Sequence, residues 1–202
     1  AISSIMVPKN VISAGDRDGG AFSGTVSLKS ISFEEGMEKI PSYVCYAGGN
    51  VSYIASVNIP DTVNEIGSYA FKDCIALKTL EVSDNIKEID YAAFYGCKGL
   101  TTIKIGSKDR KDESAISELT VKQATNKSSE LKLDWKLAEG NYITIYNSAF
   151  EKCTGLKTVR LSVNVKSIGS YGFYDCSSLS NVYLLGTEEE WEQISIGDSG
   201  NE

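Results

Sequence analysis

At 202 residues, 42% of them apolar, the chain can build one sizeable core or a solenoid of comparable mass. A net charge of −7 argues against a nucleic-acid backbone or an anionic membrane surface as partner. Histidine is absent, which removes the commonest general base, the commonest metal ligand and the usual companion of a Ser or Cys nucleophile, so no enzyme is expected.

No apolar run approaches the ~18 residues that a membrane helix needs. A chain that opens on Ala1 rather than Met reads as a mature or trimmed fragment. From that end, apolar triplets spaced L-x-x-L-x-L recur at intervals of 26 residues: Ile2, Ile5 and Val7, then Leu28, Ile31 and Phe33, then Ile54, Val57 and Ile59. The rungs over 1–53 are degenerate. Three extra residues are expected between the capping aliphatic and the aromatic position, which Phe22 fills in one rung and Gly48 in the next. GDRDGG (15–20) reads as a turn: Asp16 and Asp18 have the look of a calcium loop, but the distal acidic ligands are missing.

From 54 to 105 the period tightens. IGSYAFKDCIALKTLEV (66–82) aligns with IDYAAFYGCKGLTTIKI (89–105), every apolar anchor recurring after 23 residues. The frame returns over 143–184 as IYNSAFEKCTGLKTVRL (145–161) and IGSYGFYDCSSLSNVYL (168–184), again 23 residues apart. Such self-similarity marks a stacked-repeat architecture. In each rung the apolar residues flanking a polar one point inward from a short strand, and successive strands pair in parallel at ~4.8 Å, so eight rungs span roughly 38 Å. Phe71, Phe94, Phe150 and Phe173 are expected to fill the opposite side of the core as a stacked column. A single rung cannot bury both sides; stacking completes the core.

Residues 106–142 interrupt the repeat. Ile116, Leu119 and Val121 have rung spacing, so an abbreviated rung is expected there. SKDRKDES (107–114) reads as a solvated loop, and LKLDWKL (131–137) alternates as an extra strand would. A second small domain is the competing reading of this insert. The segment 185–202 differs in kind: Thr187 followed by Glu190 is a capping-box signature, opening a short helix whose Trp191 and Ile194 share one face. That helix is expected to lid the last rung, as a solenoid's end requires, and to be the natural C-terminal cap. Acidic residues Glu188 to Glu190 then complement the helix dipole rather than form a catalytic carboxylate pair.

Cys74, Cys97, Cys153 and Cys176 share one repeat position, which Thr25 and Val51 occupy in the degenerate rungs. Small side chains of similar shape suit a buried apolar slot, so free thiols are expected there. Strand spacing would allow disulfides between adjacent rungs, but the substitutions break the pairing. No spacing resembles the close cysteine pairs of zinc sites, so no metal is expected. Cys45 lies outside the column.

The four regular motifs resemble the BspA-like leucine-rich repeats of bacterial surface proteins, whose rungs carry the same I-G-x-x-A-F-x-x-C-x-x-L-x-x-I frame. GTEEEWEQISIGDSGNE (186–202) looks like the cap that often follows such repeats. The resemblance implies a single leucine-rich-repeat solenoid over 1–202, β-rich with short turns and helical pieces, its parallel strands stacked along one face and closed by a C-terminal helical cap. Asn10, Asn85 and Asn164 match the family's ladder asparagine, while Gly36, Thr62 and Lys108 occupy that slot elsewhere. It further implies an extracellular or cell-surface adhesion module of a bacterium, non-catalytic and without cofactor. The expected partner is a host extracellular or neighbouring-cell protein, with no nucleic acid, no membrane insertion by this fragment, and a monomeric state. The alternative is a carbohydrate-binding or cell-wall accessory module of a larger secreted enzyme, which would need Tyr142, Tyr146 and Trp135 coplanar.

The outward residue of each strand defines the expected binding row: Met6, Ser32, Asn58, Glu81, Lys104, Thr120, Arg160 and Tyr183. Its charged and aromatic end, Glu81, Lys104, Arg160 and Tyr183 beside Leu185, is the candidate site, because Arg and Tyr are over-represented at binding hot spots.

Overall fold

The computed structural model describes residues 2–106, 142–185 and 187–201, together with the backbone of 117–120. In chain order the first elements are β1 (Ser4–Val7), β2 (Gly15–Asp16), β3 (Gly19–Gly20), β4 (Ser30–Phe33), β5 (Lys39–Ile40) and β6 (Ser56–Asn58). Next come β7 (Glu65–Ile66), β8 (Thr79–Val82), β9 (Glu88–Ile89), β10 (Thr102–Ile105) and β11 (Ser117–Thr120). The C-terminal part holds β12 (Ile143–Ile145), β13 (Thr158–Ser162), β14 (Val165–Ile168), β15 (Asn181–Leu185), α1 (Glu188–Glu192) and β16 (Ser195–Ile196).

These elements form a parallel β-solenoid. Each full coil gives one strand to a first wall and one to a second. The first wall is two sheets, β1-β4-β6 and β11-β15-β13-β10-β8; the second is one continuous sheet, β16-β14-β12-β9-β7-β5. The sequence reading placed paired strands on one face only. The second sheet arises because the isoleucine opening each motif is β-branched and buried, and one or two residues beside it suffice for a ladder. Ile40, Ile66, Ile89, Ile145 and Ile168 fill this position, exposed by no more than 4%.

Between the walls lies the phenylalanine column. Phe71, Phe94 and Phe150 are fully buried, and the rings from Phe71 to Phe173 stack at 5.1, 5.3 and 5.2 Å. The backbone there is laddered too: Phe71 N donates to Ala93 O at 2.8 Å and Phe94 N to Ala149 O at 2.8 Å. A side chain larger than Ala70, Ala93 or Ala149 would have no room, since all three are fully buried beside those bonds.

The early rungs are built differently from the sequence reading. Cys45 N donates to Ala70 O at 2.8 Å, the bond that each phenylalanine makes to the next coil, so Cys45 takes the aromatic position and Gly48 does not. The extra residues of that coil therefore follow the column instead of preceding it. Val51 is 42% exposed and is not the counterpart of the buried cysteines; Ser52, buried, bridges in parallel to Cys74. Periodicity alone cannot place an insertion within a coil, which is why both assignments slipped.

Of the residues expected to form a rung at Ile116, Leu119 and Val121, only Leu119 is among those described, and it is not in a rung of the stack. β10 pairs directly with β13, Ile103 opposite Val159, although 56 residues separate the two. β11 instead lies antiparallel against the far side of β15, with Glu118 opposite Tyr183 and Thr120 opposite Asn181. Thr120 is thus out of the binding row, and the first wall has seven parallel strands among the described residues. Alternation of apolar and polar residues suits an antiparallel edge strand as well as a rung, and there it covers backbone groups that an open sheet edge would expose. Long insertions cost little when their ends stay close. The chain leaves the wall at Gly106, whose φ is +69° and whose Cβ position lies 2.7 Å from the Ser162 side chain and 2.8 Å from Asp84 Oδ1, so only glycine fits. The stretches 107–114 and 131–137 fall outside the described residues.

At the C-terminus the capping box forms: Glu190 N donates to Thr187 Oγ1 at 3.3 Å and Thr187 N to Glu190 Oε2 at 2.8 Å. Trp191 and Ile194, 6% and 3% exposed, are thereby set against the last coil.

Candidate interaction surface

Parallel pairing without offset brings the outward residues of the first wall into line. Met6 faces Ser32, Ser32 faces Asn58, and beyond the break between β6 and β8, Glu81 faces Lys104, Lys104 faces Arg160 and Arg160 faces Tyr183. Lys104 Nζ lies 3.7 Å from Glu81 Oε1, a solvent-exposed pair of small energetic weight. The like-charged neighbour Arg160 leans the other way and sets its guanidinium 4.8 Å from the Tyr183 ring centroid. Such a cation–π contact is worth ~0.5–1 kcal/mol at an exposed site and holds both side chains in place. Leu185 pairs with Ser162 through its backbone, and its side chain falls outside the described residues.

A second surface was missed in the sequence. Tyr43 and Tyr69 stack at 5.1 Å, Tyr69 meets Tyr91 edge-on at 5.3 Å, and Tyr43 meets Tyr46 at 6.0 Å. Lys72 Nζ sits within 5.4 Å of the Tyr46, Tyr69 and Tyr95 rings, and Lys152 Nζ donates to Tyr95 Oη at 2.6 Å. The signal was legible: IPSY (40–43), IGSY (66–69) and IGSY (168–171) repeat a tyrosine three residues after the second-wall isoleucine. Tyr43, Tyr69 and Tyr171 all have φ near +60°, which turns the chain off the second wall and swings the rings to the corner. Burial, and then a hydrogen bond with Tyr91, pushes the Tyr69 hydroxyl up to about 12.

Tyr43 and Tyr69 stack on each other with 19° between their planes, and Tyr91 meets Tyr69 at 76°, so the three rings are not coplanar. Of the three aromatics that the carbohydrate alternative needs, Trp135 lies outside the described residues, Tyr146 is exposed, and Tyr142 has Lys166 Nζ 5.9 Å from its centroid.

The column cysteines line the core, with Cys176 also at the wall of a cavity at the C-terminal end. All five are free and buried, and burial pushes the thiols of Cys45, Cys97 and Cys153 well up, which keeps them protonated. Cys97 donates to Phe71 O at 3.1 Å, Cys153 to Phe94 O at 3.3 Å and Cys176 to Phe150 O at 3.2 Å, each reaching back one coil. Asn85 Nδ2 likewise donates to Asp61 O at 2.9 Å, and Thr62 Oγ1 in the equivalent slot to Met37 O at 2.9 Å. Asp16 and Asp18 flank a hairpin turn in which Asp18 N donates to Asp16 Oδ1 at 2.9 Å. No helix among the described residues is long and apolar enough to cross a membrane.

The model of the BspA type leucine rich repeat region matches in six copies, over residues 1–120 and 130–196. The chain belongs to this family. Among solved structures the BspA-type chain resembles a leucine-rich repeat protein from Bacteroides ovatus ATCC 8483, with 21% identity and a TM-score of 0.61 over 96% of this chain and 45% of that one. It also resembles a leucine rich cell surface protein from Faecalibacterium prausnitzii A2-165, with 24% identity and a TM-score of 0.54 over 96% of this chain and 51% of that one. At these identities the likeness carries the fold, and the chain spans about half the length of either protein. None of the curated proteins matches it.

Proposed function

We propose that this BspA-type chain is a non-catalytic protein-binding module of a bacterial cell-surface protein, holding its partner on the first wall at the Arg160–Tyr183 end. The observation that carries the reading is the register: Glu81, Lys104, Arg160 and Tyr183 stand on consecutive parallel strands, and the last two are in cation–π contact at 4.8 Å. A pre-ordered Arg and Tyr lose little rotamer freedom when a partner docks, and these residue types dominate interface energetics. The family and the cell-surface protein that shares the fold support a surface address.

The test begins with a pull-down from extracellular matrix and mucus proteins using the intact chain. With the captured partner purified, Arg160→Glu with Tyr183→Ala should weaken binding by at least ~2 kcal/mol, about 30-fold. Replacing 122–141 with a short linker, which keeps β11 on the edge of β15, should change affinity less than twofold. If the linker variant loses binding and the double variant keeps it, the site belongs to the insertion instead.

A further inference from the structure

The phenylalanine column stops one ring short of the cap. β16 continues the second wall, with Ile196 opposite Ile168, so Asn201 occupies the place in its coil that Phe173 occupies in the one before. Its side chain does not enter the core. Asn201 Oδ1 accepts from Phe173 N at 3.1 Å and Nδ2 donates to Gly169 O at 3.0 Å, standing in for the backbone carbonyl that every earlier coil supplies. The ring position beyond Phe173 is therefore left open, and a cavity of about 360 Å³ lies there, walled by Phe173, Leu179, Val182, Trp191 and Ile196.

Exposure along the repeat columns shows the same gap. Leu77, Leu100 and Leu156 are fully buried, whereas Leu179 is only partly so; Cys97 and Cys153 are at 0% and Cys176 at 8%. The volume falls within the range of small ligand pockets. The lining also carries Asp175 and Ser177, groups that can pair with a peptide N–H.

We propose that this end cavity receives an aromatic side chain of a partner polypeptide, which stacks on the outer face of Phe173 as the next member of the column. The choice of an aromatic rests on the three preceding stacking steps of 5.1 to 5.3 Å, which set a flat slot of one ring's thickness per coil. The choice of a polypeptide rests on the protein-binding reading above, but the cavity is a separate site from the Arg160–Tyr183 row.

Cys176 reports occupancy, since it lines the cavity and is the most exposed of the four column thiols. A blocked Gly-Gly-Phe-Gly-Gly peptide at millimolar concentration should slow modification of Cys176 by a thiol reagent at least fivefold, and the Leu analogue less than twofold. Asn201→Phe places a ring in register, and Leu179→Phe projects a ring from the wall into the slot beside Phe173 while keeping the Asn201 bonds. Each should abolish protection, and Leu179→Phe should match or exceed the wild-type melting temperature. Arg160→Glu with Tyr183→Ala should leave protection intact, which separates this site from the row. No protection, equal protection by the Leu peptide, or protection surviving in both filled variants overturns the proposal. So does concentration-dependent self-association that Leu179→Phe abolishes, which would assign the cavity to a second copy of the chain.

Discussion

The coils before residue 59 and those after residue 76 solve one packing problem in two ways. In the later coils the turn supplies a phenylalanine and the first wall supplies Val82, Ile105 or Leu161. In the coil of β4 and β5 the turn supplies only Cys45, and the first wall answers with Phe33, whose ring meets Phe71 edge-on at 6.1 Å and 86°. Volume is conserved across the core while the aromatic changes sides. The first wall breaks between β6 and β8, where the coil length falls from 26 residues to 23, yet the second wall runs through unbroken. A solenoid can thus lose one ladder at a junction and be carried by the other.

If the stacked column is the stronger solution, truncating it should cost most. Phe94→Ala removes a ring held between Phe71 and Phe150, and neither neighbour can close the gap without moving a coil. The expected loss is ~3–5 kcal/mol, read by chemical denaturation. A melt indistinguishable from wild type would end the account of the column. The broken ladder makes a second, local demand. Backbone amides of β4 and β6 should exchange with deuterium at least tenfold faster than those of β10 and β13, because β6 lacks a strand partner on one side. Uniform protection would mean that the break carries no energetic weight.

The two regions also differ in how much of them could be read from the chain. Phe71 with Phe94, and Phe150 with Phe173, share a frame because 23 residues return the backbone to the same place, and the pairs Glu81–Lys104 and Arg160–Tyr183 follow by counting; the direct pairing of Lys104 with Arg160 across 56 residues did not, since Thr120 was expected between them. Cys45 and Ser52 could not be placed by counting, since a coil of 26 residues does not say where its three extra residues bulge. β11 was illegible for another reason: alternation names a strand but not its neighbour or direction. Asn201 was missed because its role is polar. It replaces a carbonyl, and no apolar pattern marks such a residue.

The cysteine column tests a subtler point. The exposure of Val51 removes the idea that the repeat already tolerates valine in that slot. Cys97 instead makes a directed contact, its thiol donating to Phe71 O. Cys97→Val keeps the volume and deletes this bond, so it should cost ~1 kcal/mol, while Cys97→Ser, which keeps a donor, should leave the Phe71 contact in place. Two-state denaturation curves of the pair check this; equal stability of Cys97→Val and wild type would reduce the column to plain packing.

The smallest effect concerns the junction where the first wall breaks. Tyr69 and Tyr91 stand on either side of it, in contact at 5.3 Å, and Lys72 reaches across to within 5.3 Å of the Tyr95 ring. An unfolded tyrosine titrates near ~10, whereas burial and the bond with Tyr91 raise Tyr69 to about 12. The folded state therefore favours the neutral phenol. Its contribution is fully present below pH 10 and is lost as the pH climbs from 10 toward 12, because the unfolded chain releases that proton first. Absorbance of tyrosinate during alkaline titration should show Tyr69 as the last step among the 11 tyrosines, with Tyr146, raised by the neighbouring Glu88 carboxylate, a separate step before it. Tyr69→Phe should remove the last step, and Tyr91→Phe should move it down toward the ordinary value without removing it. A last step near 12 that survives Tyr69→Phe would place the raised phenol elsewhere and leave the junction to be held by the second wall and the Phe71–Phe94 stack alone.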